Sequence, residues 1–147
     1  MKIVSRRLLC LSLIVLCSCH QRSNERFSSW KVYNGTKEGA KYSSLSQIDT
    51  GNVQLLRPVW EYHAGDADTV FSSQIQCNPI IVDDVLYAVS PQLKLLALDA
   101  ATGRAKWTFD PRRTGETLSA HALRGVSYWE EGADKRIFLQ QALIYTW

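Results

Sequence analysis

Four short apolar runs follow one another in the middle of the chain, and they restrict it to a β fold. They cover residues 78–82, 85–90, 93–99 and 106–110, and Val, Ile, Leu and Tyr dominate them. The breaks between them carry Asp-Asp, Ser-Pro and Thr-Gly, which are typical turn residues. Runs of this length with such breaks predict four consecutive antiparallel strands.

The turn between the third and fourth runs can be interpreted residue by residue. It lies in the segment Ala-Leu-Asp-Ala-Ala-Thr-Gly-Arg-Ala-Lys-Trp. Gly103 can take a positive φ at the end of the turn. Asp99 and Thr102 can hydrogen-bond the turn backbone through their side chains. Ala97 is small, so it leaves room on its strand for a large neighbour such as Trp107.

Part of this pattern occurs twice. Residues 57–62 (RPVWEY) resemble residues 104–109 (RAKWTF), and Trp60 and Trp107 are 47 residues apart. A repeat of this size fits one four-stranded blade of a β-propeller. The alternation in residues 58–63 predicts a strand that would close the ring as the outer strand of the last blade. A single β-hairpin outside any repeat is the alternative.

The segment that ends at Trp107 resembles the tryptophan docking motif of the quinoprotein dehydrogenases, which bind pyrroloquinoline quinone (PQQ). In that family the tryptophan wedges between neighbouring blades. Residues 30–53 are similar to the lead-in of those enzymes, with a Trp–Tyr–Gly cluster, Tyr-Ser-x-Leu-x-Gln-Ile and Asn-Val. The resemblance implies an all-β fold in which residues 30–147 form about two blades of an eight-bladed propeller. Residues 124–129 and 136–139 are predicted as the first two strands of the second blade.

The first residues indicate export. A basic start precedes a short apolar run, which predicts a signal peptide over residues 1–18. Its end resembles a bacterial lipobox, so we expect Cys19 to carry lipid after cleavage. Residues 19–29 are then a tether between the membrane and a domain that faces the periplasm. Ordinary secretion, with Cys19 incidental, is the alternative.

Without its signal peptide the chain is neither basic nor disulfide-bonded. The whole sequence has 17 basic and 14 acidic residues, but three of the basic ones lie in the signal. The remaining net charge of zero gives no support to nucleic-acid binding. Cys77 is the one cysteine left besides Cys19, and it is predicted as a small buried apolar residue.

Two residues are candidate cofactor contacts. Arg-Gly-Val-Ser-Tyr-Trp, starting at Arg124, resembles the family's Arg-Gly-x-x-Tyr-Trp segment, whose arginine contacts PQQ. A guanidinium can hold a carboxylate or a quinone oxygen bidentately. Gln76 stands where the family often has a glutamate that contacts PQQ, and it keeps hydrogen-bonding capacity without the charge. A surface arginine at the start of a strand is the alternative for Arg124.

The sequence gives less information about the substrate site than about the cofactor site. His121 lies three residues before Arg124, near the place where glucose-oxidising members have a histidine close to the substrate; a loop histidine without a role is the alternative. The adjacent cysteine pair of the methanol- and ethanol-oxidising members is missing at residues 120–123. This departure favours the glucose-dehydrogenase-like branch. The resemblance places the Ca²⁺ ligands and the catalytic base in later blades, so catalytic and metal-binding residues are not assigned.

The predicted function is that of the N-terminal portion of a membrane-tethered PQQ-dependent dehydrogenase. It would oxidise a sugar or alcohol hydroxyl and pass electrons to a membrane quinone or a cytochrome. The residues that remain after the signal peptide are too few for a closed propeller, so we expect a truncated chain that is inactive alone. The alternative is a non-enzymatic propeller lipoprotein that serves as a scaffold in outer-membrane protein assembly.

Overall fold

The computed structural model describes residues 29–68, 70, 73–112 and 122–140. This part of the chain contains six β-strands and one short 3-10 helix, Val53–Leu55. The expectation of an all-β fold is therefore confirmed. In the same ranges, no helix has the length and apolar character needed to cross a bilayer. The predicted signal peptide, Cys19 and His121 lie outside the described residues.

The first four strands form one antiparallel sheet in chain order, as predicted. They are β1 (Ile80–Val82), β2 (Val85–Val89), β3 (Leu95–Asp99) and β4 (Ala105–Phe109). Strands β1 and β3 each begin two residues later than the apolar runs suggested. Before β1, the amide of Asn78 donates to a carbonyl of another segment. Before β3, Leu93 lies in a turn with a φ of 65°.

A second, two-stranded sheet follows and matches the predicted start of the second blade. It is an antiparallel hairpin of β5 (Ser127–Glu131) and β6 (Asp134–Phe138). Its turn contains Gly132 in the left-handed region, with a φ of 59°. The arginine of the Arg-Gly-Val-Ser-Tyr-Trp segment therefore precedes the strand, in the connection that leads into it.

The hydrophobic core lies between the two sheets. Buried residues of the first sheet pack with Val126, which leads into β5. The buried set is Ile80, Val82, Val89, Leu93, Leu95 and Val126, with Cys77, Tyr87, Leu123, Tyr128, Ile137 and Leu139 packed against it. Burial of each large aliphatic side chain contributes about 1.5–3 kcal/mol, so this contact between sheets is a main source of stability.

The predicted fit of a small residue beside a tryptophan is confirmed. Ala97 on β3 is fully buried and lies between Tyr87 on β2 and Trp107 on β4 in one cross-strand row. The centroids of the two aromatic rings are 5.9 Å apart. Because Ala97 carries only a methyl group, the two rings can approach each other across the middle strand.

The two ends of the sheets differ in the kind of connection that they carry. At the hairpin end lie the tight turns 83–84, 100–104 and 132–133, and the amide of Ala100 donates to the carbonyl of Asp84. At the loop end lie residues 76–79, 110–112 and 122–126, where strands enter from or leave to longer connections, together with the turn 90–94 between β2 and β3. These two names are used below.

The predicted strand at residues 58–63 is not formed. The burial of these side chains alternates as expected, with Trp60 and Tyr62 half-buried and Val59 86% exposed. They have no ladder partner among the described residues, and an extended segment without a neighbour makes no interstrand hydrogen bonds. The alternation is therefore confirmed, and the strand stays a prediction, because its expected partners belong to the last blade of the full propeller.

Candidate functional site

The segments that carry the two candidate cofactor residues meet at the loop end. The amide of Asn78 donates to the carbonyl of Arg124 over 2.7 Å. Gly125 has a φ of 152°, and a Cβ there would lie 2.9 Å from the carbonyl oxygen of Asn78. Only glycine allows the two backbones to approach this closely. The structure therefore brings the connection that leads into β5 beside the residues that follow Gln76.

Arg124 has an exposed side chain that is not engaged by the rest of the site. Its backbone carbonyl is bonded to Asn78, but within the described ranges no side chain forms an ion pair or hydrogen bond with its guanidinium. A guanidinium offers five N–H donors in a planar fork suited to carboxylates. Within the described part of the chain these donors are not used.

The other arginine of the loop end is already bound to a carboxylate. The guanidinium of Arg112 donates to both oxygens of Asp110, over 2.9 Å and 2.5 Å, and to the amide oxygen of Gln92 over 2.7 Å. Chiefly through this hydrogen bonding, Arg112 lowers the pKa of Asp110 to about 2. Its donors are thus directed to neighbours within the fold.

Gln76 is exposed at the start of the first blade. Its amide nitrogen donates to the side-chain oxygen of Gln74 over 2.8 Å. The next residue, Cys77, is half-buried against the core, and burial raises the pKa of its thiol. The prediction that Cys77 behaves as a small apolar residue fits this position, and its packing fixes the backbone next to Gln76.

A buried carboxylate at the loop end was not identified as a site residue from the sequence. Asp66 is 9% exposed, and its Oδ2 accepts a hydrogen bond from Ser90 Oγ at 2.6 Å. The Nζ of Lys94 lies 3.8 Å from the same oxygen. In the sequence Asp66 is one of several polar residues in a loop, and its contacts with residues 24 and 28 positions away leave no local pattern.

The hairpin end carries a network of charges that are paired with one another. Lys31 Nζ lies 3.4 Å from Glu130 Oε1 and 3.9 Å from Asp83 Oδ1, and Asp83 also pairs with Lys135. The hydroxyl of Tyr128 donates to Glu130 over 2.7 Å, and this bond is the main cause that raises the pKa of Tyr128 to about 12. The network connects the lead-in, the first sheet and the second hairpin.

The indole of Trp60 packs on the tight turn at the hairpin end. Its Nε1–H donates to the carbonyl of Ala100 over 3.2 Å. A Cβ on Gly103, whose φ is 70°, would lie 2.5 Å from the indole ring. Within the turn, the carboxylate of Asp99 accepts hydrogen bonds from the amide and the hydroxyl of Thr102. The predicted roles of all three turn residues are confirmed.

The remaining sequence candidates are not positioned by this part of the molecule. Cys19 and His121 lie outside the described residues, so their roles stay predictions. In the ranges that the structure describes, no three His, Cys, Asp or Glu side chains are grouped in a way that could hold a metal ion.

Comparisons with known proteins identify the family. Residues 30–146 match the family model of the glucose/ethanol/alcohol dehydrogenase PQQ β-propeller domain. The chain is 37% identical over 109 residues to the quinoprotein glucose dehydrogenase of Escherichia coli, which covers 71% of this chain and 14% of that protein. It is 36% identical over 104 residues to the dehydrogenase subunit of the quinone-linked alcohol dehydrogenase of Gluconobacter oxydans, covering 68% and 13% of the two chains.

A third relative extends the match along the chain. The 1-butanol dehydrogenase (cytochrome c) of Thauera butanivorans is 32% identical over 131 residues, which cover 86% of this chain and 18% of that protein. The chain thus spans less than a fifth of the length of each relative. All three are dehydrogenases, which leaves the scaffold alternative without support. The chain belongs to the PQQ β-propeller family of glucose, ethanol and alcohol dehydrogenases.

Proposed function

We propose that this chain is the N-terminal part of a PQQ-dependent dehydrogenase that oxidises a hydroxyl group of a sugar or an alcohol. Family membership supports the cofactor class. The observation that carries the proposed binding site is the exposed guanidinium of Arg124, which no described side chain engages, on a segment hydrogen-bonded to the one that follows Gln76.

The residues of the loop end suit a planar tricarboxylate. Arg124 would hold a carboxylate or a quinone oxygen through two parallel N–H bonds, and its charge favours an anionic ligand. Gln76 would add a neutral amide contact. The close packing of Gly125 against Asn78 keeps the two contact segments together. When bound, PQQ supplies an ortho-quinone that takes up the two electrons removed from the substrate.

The metal and the catalytic base are proposed to lie in other parts of the full protein. In this family Ca²⁺ polarises the quinone and a carboxylate accepts the proton of the substrate hydroxyl. The described residues offer no group of metal-binding side chains. Ca²⁺ is therefore proposed as a second cofactor whose ligands come from later blades, which also provide the base.

A sugar or polyol is the proposed substrate. The sequence at residues 120–123 has no adjacent cysteine pair, and His121 lies near the place where glucose-oxidising members have a histidine close to the substrate. Relatives named as glucose dehydrogenase and as alcohol dehydrogenase both match the chain, so an alcohol is the second candidate. A membrane quinone or a cytochrome is the proposed electron acceptor, because relatives with either in their names match.

The proposed location is the periplasmic face of a membrane. Lipid attached to Cys19 would tether the propeller through residues 19–29. Mass spectrometry of the mature protein tests this point directly, and an unmodified N-terminus would contradict the anchor.

The function is tested with the full-length protein that carries this sequence. The purified apoprotein is reconstituted with PQQ and Ca²⁺, and reduction of an artificial dye is followed with a panel of aldoses, polyols and primary alcohols. We expect turnover that requires PQQ and is fastest with an aldose or polyol. An apoprotein that folds but neither binds PQQ nor reduces the dye would contradict the proposal.

A further inference from the structure

Asp66 is a buried carboxylate with only part of its hydrogen-bonding capacity used. Its Oδ2 accepts from Ser90 Oγ at 2.6 Å, while its Oδ1 is buried without a hydrogen-bond partner. Ser90 is itself 2% exposed. Burial of a carboxylate is costly unless its oxygens are paired. A fold that keeps this charge, with one oxygen unpaired, points to a role beyond filling space.

The hydrogen bond of Asp66 holds the beginning of the connection that precedes the first blade. Asp66 bonds Ser90, which follows β2, and Cys77 packs against the buried cluster that contains Val89, the last residue of β2. The two ends of the connection are thus both held near the end of β2. Gln76 is adjacent to Cys77, so its position depends on how both ends of the connection are held.

Two hydrogen bonds inside the same connection join its two ends. The amide of Asp68 donates to Ser73 Oγ over 2.7 Å, and the amide of Ser73 donates to the carbonyl of Asp68 over 3.0 Å. This reciprocal pair joins the chain that leaves Asp66 to the chain that approaches Gln76. A shift at Asp66 is therefore transmitted over a few residues to Cys77.

We propose that Asp66 is a positioning residue for the cofactor site, holding the described ends of the connection, residues 66–68 and 73–77, so that Gln76 is kept next to the backbone contact between Asn78 and Arg124. The inference rests on the proposed function, because it concerns the same site. Lys94, whose Nζ lies 3.8 Å from Asp66 Oδ2, supplies the countercharge for the buried carboxylate. Asp66 thereby also pairs this cation within the fold, whereas no described side chain engages the guanidinium of Arg124.

The negative charge of Asp66 allows a test in which two explanations predict opposite changes in PQQ affinity. Asp66 is negative, and PQQ carries three carboxylates. If Asp66 acted only through its charge, Asp66→Asn would remove a repulsion and PQQ would bind more tightly. If Asp66 positions Gln76, the same substitution weakens PQQ binding. The two effects have opposite directions, so the measured change in affinity separates them.

The experiment compares three variants of the full-length apoprotein in the presence of Ca²⁺. Asp66→Asn removes the buried charge, and Ser90→Ala removes the hydrogen-bond donor while keeping that charge. Glu61→Gln removes an exposed carboxylate shortly before Asp66 in the chain, with 80% of its side chain exposed, and serves as the matched control. PQQ affinity is measured by fluorescence titration, and hydrogen exchange of residues 73–79 by mass spectrometry.

We expect Asp66→Asn and Ser90→Ala to weaken PQQ binding at least about tenfold, the scale of one lost charge-assisted hydrogen bond. Faster exchange in residues 73–79 should accompany the loss, and Glu61→Gln should change neither quantity. Unchanged or tighter binding by folded Asp66→Asn would overturn the inference, even if the melting temperature falls. Absence of PQQ binding by the wild-type protein would instead refute the proposed function.

Discussion

The two ends of the sheets use charged residues differently. At the hairpin end, Lys31, Asp83, Glu130 and Lys135 are all paired with one another across three parts of the chain. At the loop end, Arg124 is exposed and not engaged by described side chains, and Asp66 keeps a buried oxygen without a partner. Groups with satisfied partners hold a fold together, whereas groups with unused capacity are available to a ligand.

This difference suggests that the two ends of the strands have different roles, stability at the hairpin end and ligand binding at the loop end. The hairpin end also holds the packing of Trp60 on the turn at Gly103, so it combines ion pairs with an aromatic contact. The loop end combines longer connections with a close backbone approach at Gly125. We therefore expect substitutions at the hairpin end to lower stability without changing cofactor affinity, and substitution of the exposed Arg124 at the loop end to do the reverse.

The largest effect on stability is expected for Gly103→Ala. Its φ of 70° is unfavourable for alanine, and the new Cβ would lie 2.5 Å from the indole of Trp60. Backbone strain costs about 1–2 kcal/mol, and displacement of the ring loses packing and the hydrogen bond to Ala100. We expect a loss of about 2–4 kcal/mol in the free energy of unfolding, measured by urea denaturation.

Gly132→Ala is the matched control for that substitution. Gly132 has a φ of 59° in the turn of the second hairpin, but a Cβ there meets nothing within 4 Å. It should cost only the backbone strain, about 1–2 kcal/mol. Equal losses for the two variants would show that Trp60 does not stabilise the turn at Gly103.

The turn at residues 99–104 was predictable from the sequence because its interactions are local. Asp99, Thr102 and Gly103 lie within one turn, and each contact joins residues at most four positions apart. The strand predicted at residues 58–63 depends on the opposite kind of contact, because its partner strands are expected in the last blade of the full propeller. Alternation determines which side chains are buried, but a strand also needs a partner that the local sequence does not contain.

The loop end requires a second test, in which affinity changes and stability does not. Arg124→Gln removes an exposed guanidinium that the described part of the fold does not use. Loss of a bidentate charged contact should weaken PQQ binding about tenfold to a hundredfold. The urea midpoint should stay within experimental error of the wild-type value, because exposed substitutions rarely alter stability by more than about 0.5 kcal/mol.

Arg104→Gln provides the comparison for Arg124→Gln. Arg104 is exposed in the turn at the hairpin end, so the substitution makes the same change of charge far along the strands from the proposed site. PQQ affinity should be unaffected. A similar loss for both arginines would mean that the overall charge of the protein, and not a contact at Arg124, governs binding of the anionic cofactor.

The sequence offered candidates for the site only where a segment resembles the family pattern. Arg124 was proposed from such a segment, and Gln76 from the place where the family often has a glutamate, and both roles stay predictions. Asp66 was not found, because its significance comes from Ser90 and Lys94, which approach it only in the folded chain. Burial and unused hydrogen-bonding capacity are properties of the packed structure that composition and spacing do not encode.

The smallest expected effect is the pH dependence of the paired charges at the hairpin end. Hydrogen bonding and attraction by Lys135, with a smaller contribution from Lys31, lower the pKa of Asp83 below its ordinary value of 3.8. The contribution of Asp83 to stability is therefore fully present above that ordinary value and is lost as the pH falls through the lowered pKa. We expect Asp83→Asn to lower the urea midpoint slightly at pH 7, and the gap from wild type to narrow towards pH 3.

Asp84→Asn makes the equivalent change at the next position of the same turn. Asp84 has a φ of 61°, which asparagine also adopts readily, and within the described ranges it forms no ion pair. Its urea midpoint should follow the wild-type curve from pH 7 to pH 3. If the Asp83 and Asp84 variants behaved alike, the contacts with Lys31 and Lys135 would contribute nothing measurable. Screening by solvent would then outweigh pairing at this exposed end, and the stability of the hairpin end would rest on Trp60 and the core.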